Sequence, residues 1–81
     1  MDKVRAKRVY QVLGAQLRQC RNNAGVTQDD IATAIGVDRR HYGRLESGQK
    51  KVSIARLIEI CEFLKIDPGQ LVTKISLAHL S

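Results

Sequence analysis

The segment Asp38-Arg39-Arg40-His41-Tyr42-Gly43-Arg44-Leu45-Glu46-Ser47-Gly48 holds the side chains best suited to recognition chemistry: three arginines within six residues, bounded by an acidic cap and a glycine. At about 100° per residue, Arg39, Arg40, Gly43, Arg44 and Ser47 share roughly 140° of one helical face, while Asp38, Tyr42, Leu45 and Glu46 take the opposite arc. His41 falls on the boundary. The outward face therefore carries three guanidinium groups, no acid, and two small residues at its centre. A guanidinium fork matches the paired acceptors on the major-groove edge of guanine, at about 1–3 kcal/mol of discrimination per bidentate pair. The small centre lets a helix backbone approach a surface while the arginines reach forward. An interior glycine costs about 1 kcal/mol relative to alanine, which a merely solvated face does not explain. Arg39, Arg40 and Arg44 are thus candidate base readers, with His41 and Gly43 as further candidate DNA contacts. Tyr42 points inward and is expected in the core.

The elements that must position this face read as an all-α chain, because the apolar residues recur at helical spacing and strand signals are nearly absent. Val9, Leu13, Leu17, Cys20 and Ala24 form one stripe on a first helix that ends at Gly25. Thr27-Gln28-Asp29-Asp30 supplies a capping-box-like start to a short second helix, whose Ile31, Ala32 and Ile35 end at Gly36. Asp38 caps the third helix almost at once, and so short a glycine-containing turn imposes a steep crossing, the helix-turn-helix arrangement. After Gly48 comes the basic loop Gln49-Lys50-Lys51-Val52. Ser53 then caps a fourth helix with a stripe at Ile54, Leu57, Ile58, Cys61 and Leu64. Asp67-Pro68 opens a fifth, short helix through Leu71 and Val72.

The chain has 81 residues, a net charge of +6 and a pI near 9.8, which points to a polyanionic partner. The charge is uneven: residues 1–56 carry +7 and residues 57–81 carry −1. No apolar run is long enough to span a membrane and the N-terminal residues are too polar for a signal-peptide core, so a cytoplasmic protein with no membrane partner is expected. Cys20 and Cys61 stand far apart without a metal-ligand pattern, and they read as reduced, packed thiols. The two histidines, two cysteines and scattered acids offer no nucleophile–base–orienter set. Neither enzymatic activity nor a metal or cofactor is expected.

The stretch from Thr27 to Gly48 closely resembles the Cro/phage-repressor (lambda-repressor-like) type of helix-turn-helix domain. The resemblance runs from about Leu13 to Leu71 and rests on Gln28 opening helix 2, Ala32 within it, Gly36 in the turn, and the Leu45-Glu46-Ser47-Gly48 ending of helix 3. It implies a compact five-helix DNA-binding domain with helices 2 and 3 as the helix-turn-helix and the third helix in the major groove. By position it implies base reading by Arg39, Arg40 and Arg44, a phosphate contact at Gln28, and backbone contacts from Ser47, Gln49 and Lys51, with Lys50 in the same loop. It also implies a buried Arg21–Glu46 pair tying helix 1 to helix 3. The sequence departs from the family at Tyr42, usually aliphatic, and at Gly43, usually polar.

Three segments are expected: a basic stretch 1–8, either an arm along the DNA or an extension of helix 1; the helix-turn-helix domain 9–74; and an apolar tail 75–81. Leu71, Val72, Ile75, Leu77 and Leu80 exceed what such a monomer must bury, so a homodimer on a palindromic operator is expected, with the tail as a dimer contact. The reading that follows is a transcriptional regulator of double-stranded DNA, as a phage repressor, a restriction-modification controller or an antitoxin. Without an appended sensor domain, control is expected through concentration or a protein partner such as a toxin or co-regulator. The competing class is an antitoxin or adaptor-like protein-interaction module on the same fold. The arginine face discriminates between them, because such a module has little reason to keep it.

Overall fold

The computed structural model describes residues 2–80, with side chains through residue 78. Five helices follow in order: α1 Lys3–Asn23, α2 Gln28–Ile35, α3 Arg39–Glu46, α4 Ile54–Leu64 and α5 Pro68–Leu80, with no strand among the described residues. Local signals set most of the starts. The carboxylates of Asp2 and Asp38 accept from the backbone N–H of Arg5 and His41 at 2.8 and 2.7 Å, and Ser53 Oγ accepts from that of Arg56 at 3.1 Å. Thr27 and Asp30 close a reciprocal capping box, each bond 3.0 Å long. The turn between α2 and α3 depends on Gly36, which sits at φ +75°, where a side chain would be strained.

The core draws on every helix: Leu13 and Leu17; Ile31, Ala32 and Ile35; Tyr42 and Leu45; Leu57, Ile60, Cys61 and Leu64; Leu71 and Ile75. Tyr42 is fully buried, as its helical angle requires. Cys20 and Cys61 are free thiols, and burial raises the pKa of Cys61. No described helix is long and apolar enough to cross a membrane.

Helix α1 begins at Lys3, so of the two readings of the basic stretch, residues 3–8 take the extension of helix 1 and form its first turns. Other details differ from the sequence reading. The buried stripe of α4 is Leu57, Ile60, Cys61 and Leu64, while Ile54 and Ile58 are exposed. This helix is apolar around more of its circumference than it buries, so spacing alone leaves its rotation open. Packing against α2 settles it, and Arg56 Nη1 on the neighbouring face donates to the Ile35 carbonyl at 2.7 Å. Finally, α5 runs on to Leu80 because no glycine or proline stops it after Val72.

The 75–81 tail is therefore largely helical, and Ile75 joins Leu71 in the core, one turn away. Val72 and Leu77 remain exposed, and the side chain of Leu80 lies outside the described residues. Ala24, placed on the first stripe, is exposed at the end of α1.

Thermal unfolding checks which apolar residues hold the fold. Leu17, with no exposed surface, should lose about 2–5 kcal/mol on truncation to alanine. Ile54→Ala, at an exposed site, should stay within about 0.5 kcal/mol. Equal losses would contradict the observed rotation of α4.

Candidate nucleic-acid interface

The interface is built from behind α3. Glu46, in its last turn, turns inward, and its side chain is fully buried. Arg21 of α1 grips the carboxylate with a fork: Nε donates to Oε2 at 2.6 Å and Nη2 to Oε1 at 3.2 Å. The remaining nitrogen, Nη1, donates to the Val26 carbonyl in the α1–α2 loop at 2.9 Å. Gln28 Nε2 and Arg18 Nε complete the cluster, donating to Oε1 at 3.1 and 3.3 Å. One carboxylate thus joins α1, the first loop, α2 and α3.

Burial by itself would raise the Glu46 pKa, but the donors from Arg21 and Gln28 outweigh it and hold the carboxyl below its ordinary value. Burial first, and then the adjacent Glu46 carboxylate, push the Tyr42 phenol well above its usual range. The Tyr42 hydroxyl has no hydrogen-bond partner among the described residues.

Backbone contact sets the spacing between α1 and α3. Gly14 lies in the middle of α1, where a Cβ would run into the backbone carbonyl of Glu46. No side chain fits there, and sequence reasoning passed over this residue. Its signal was available, because a glycine inside a strong helical stripe marks a close approach.

On the opposite side of α3, Arg39, Arg40, Arg44 and Ser47 are exposed, and His41 and Gly43 are half-buried. The face has the layout that helical geometry prescribes. Gly43 is partly covered, since Gln28 Oε1 would stand 3.6 Å from a Cβ placed on it. Gln28 was expected to turn to a phosphate. In the structure one of its amide hydrogens is engaged by Glu46, which leaves the second for an outside partner.

After α3, Gln49 and Lys51 are exposed, while Lys50 is half-buried with Nζ 3.3 Å from His41 Nδ1. The ammonium can only donate, so this ring nitrogen accepts. At the other end of α3, an open cleft of about 730 Å³ brings Arg18 and Arg39 beside Thr27, Gln28 and Asp29 at the start of α2. Arg18 was not singled out from the sequence, because its position beside α2 depends on the turn at Gly25.

Residues 12–73 match the model of a family described as a helix-turn-helix domain. The chain belongs to the helix-turn-helix domain family. Among solved structures, the helix-turn-helix fold seen here is similar to the clp gene regulator ClgR from Corynebacterium glutamicum (TM-score 0.83, 29% identity, 89% of this chain and 77% of that one). It is also similar to the restriction-modification controller protein C.AhdI from Aeromonas hydrophila (TM-score 0.72, 32% identity, 76% of this chain and 94% of that one). A curated relative, the SPbeta prophage-derived uncharacterized HTH-type transcriptional regulator YonR of Bacillus subtilis (strain 168), is 27% identical over 55 residues. That match covers 68% of this chain, and the chain spans about half of the relative's length, 51%. The resemblance to Cro/phage-repressor domains read from Thr27–Gly48 agrees with these findings.

Glu46 gives the domain a specific acid sensitivity. A carboxyl held below its unfolded pKa contributes stability that is present above about pH 4.3 and is lost as pH falls through the lower folded value. Glu46→Gln should lose this part of the acid response, and Glu46→Ala should cost about 3–5 kcal/mol by leaving Arg21 unpaired. Melting curves from pH 7 to pH 3 test this, and identical pH profiles for wild type and Glu46→Gln would refute it.

Proposed function

We propose that the protein is a transcriptional regulator that binds a two-fold symmetric DNA site as a homodimer, acting in the cytoplasm without catalysis. The observation that carries this reading is the acid-free arginine face of α3, held from behind by the buried Glu46 cluster. Arg39, Arg40 and Arg44 read base edges in the major groove, and the half-buried Gly43 at the centre of the face lets the helix approach. His41, at the edge of that face, directs Lys50. Ser47, Gln49, Lys50 and Lys51 hold the DNA backbone after α3. Gln28, with its free amide hydrogen, takes a phosphate at the start of α2 beside Arg18 and Arg39.

A face of three arginines around a small centre favours this reading over a protein-interaction module. The similarity to a clp gene regulator and to a restriction-modification controller protein supports it. Leu77 and Val72, exposed on α5, favour self-association through that helix.

Selection of binding sites from random duplexes, followed by salt titration, is the test. Arg40→Ala should relax one position in each half-site by about 1–3 kcal/mol, while Lys51→Ala should weaken all sequences evenly and reduce the salt slope by about one for each bound protomer. If no sequence is enriched, operator reading is wrong. The selected site should contain half-sites about 34–36 Å apart or a multiple of that spacing. In sedimentation, Leu77→Glu should shift the protein towards monomer, and its melting temperature should match the wild type's at concentrations where the wild type is itself monomeric. A wild type that stays monomeric at all concentrations would remove the dimer.

A further inference from the structure

The first turns of α1 are charged against their own helix. Lys3 and Arg5 lie in the opening turn, and α1 contains no acid. Cations at a helix N-terminus oppose the macrodipole, and Lys3 and Lys7 repel as like charges at i, i+4. The Asp2 carboxylate at the N-cap offsets the first of these, and the repulsion between Lys3 and Lys7 has no acid within α1 to relieve it.

The fold directs these lysines to one place. Lys3, Lys7 and Tyr10 share a face of α1 and line a groove of about 600 Å³ whose other wall includes Lys50 and Lys51. Asp2 also lines it, with its carboxylate already accepting from the Arg5 backbone N–H at 2.8 Å. Four lysines and one aspartate thus line the groove.

The groove is preformed and continuous with α3. Gly48, at φ +77°, presses so closely on Gln11 that a Cβ would come within 2.7 Å of its Cα, which locks the loop to α1. The loop continues directly from α3, with Gln49 N donating to the Arg44 carbonyl at 2.9 Å, and Lys50 reaches back to His41.

We propose that Lys3 and Lys7, opposite Lys50 and Lys51, form a second backbone-binding site that takes duplex phosphates beyond those held by the loop alone. This rests on the DNA-binding reading above and deepens it: α1 widens the footprint of each protomer on the side of the α3 C-terminus. The ligand is the phosphate of the same duplex that α3 reads, because the loop that lines the groove continues directly from α3 and its Lys50 meets His41 at the edge of the arginine face.

The test compares Lys3→Gln/Lys7→Gln with Arg5→Gln/Arg8→Gln, which removes the same charge from α1 residues outside the groove. Circular dichroism first confirms that both variants fold. Salt titrations are then run on a selected duplex and on a random one. The lysine pair should reduce the salt slope by about two for each bound protomer, at about 0.9 per phosphate contact, and so by about 3.6 for the dimer, and weaken binding at least tenfold near physiological salt. Its base preference should stay unchanged, and hydroxyl-radical footprints should shorten at the outer edge.

The arginine pair should change the slope by less than about 0.5. Equal effects of the two pairs would reduce the groove to diffuse attraction, and no effect of the lysine pair would remove it. A slope difference that persists on random duplex when no site is enriched would sink operator reading while leaving the groove. If the wild type binds no duplex even at low salt, both readings fall.

Discussion

Glu46 is buried on the inner face of α3, and the placement of the outer face follows from it. Arg21 engages its carboxylate with two nitrogens and the Val26 carbonyl with the third, so the end of α1, the first loop and α3 are held by one planar group. Gln28 brings the start of α2 to the same oxygen that Arg18 and Arg21 share. A buried charge is tolerable only when its lone pairs are met, and here donors from two helices meet them. The same requirement fixes the rotation of α3: with Glu46, Leu45 and Tyr42 turned inward, Arg39, Arg40 and Arg44 must turn out.

The helices that present these arginines cannot stand alone. Eight residues each, α2 and α3 are far shorter than an isolated helix stable in water. Their order comes from the core and from α1, whose backbone touches α3 at Gly14 and the following loop at Gly48. Helix α1 therefore serves as a ruler, setting by direct backbone contact where the recognition helix and the basic loop stand relative to each other.

Much of this was legible before any coordinates. Caps at Thr27, Asp38 and Ser53, the turn at Gly36 and the outward angles of the arginines are local properties, carried by residues within one or two turns of each other. The Arg21–Glu46 pair was legible only through resemblance, because nothing in the spacing of two residues 25 apart requires them to meet. The rotation of α4 was not legible, because apolar residues around most of a helix do not state which of them the neighbours cover. The length of α5 follows from the absence of a glycine or proline after Val72, a local signal that the reading of a short helix did not use.

The sequence by itself determined the helices, their caps, the tight turn between α2 and α3 and the acid-free arginine face, since hydrogen bonding and 3.6-residue periodicity act over short range. Only the tertiary structure decided that Gln28 faces Glu46, that Arg18 joins the cleft at α2, that Gly14 is a point of backbone contact and that Lys3 and Lys7 stand opposite Lys50 and Lys51. Those arrangements join residues from about 10 to 48 positions apart. Packing of the whole core sets their distances, and no local rule reaches that far.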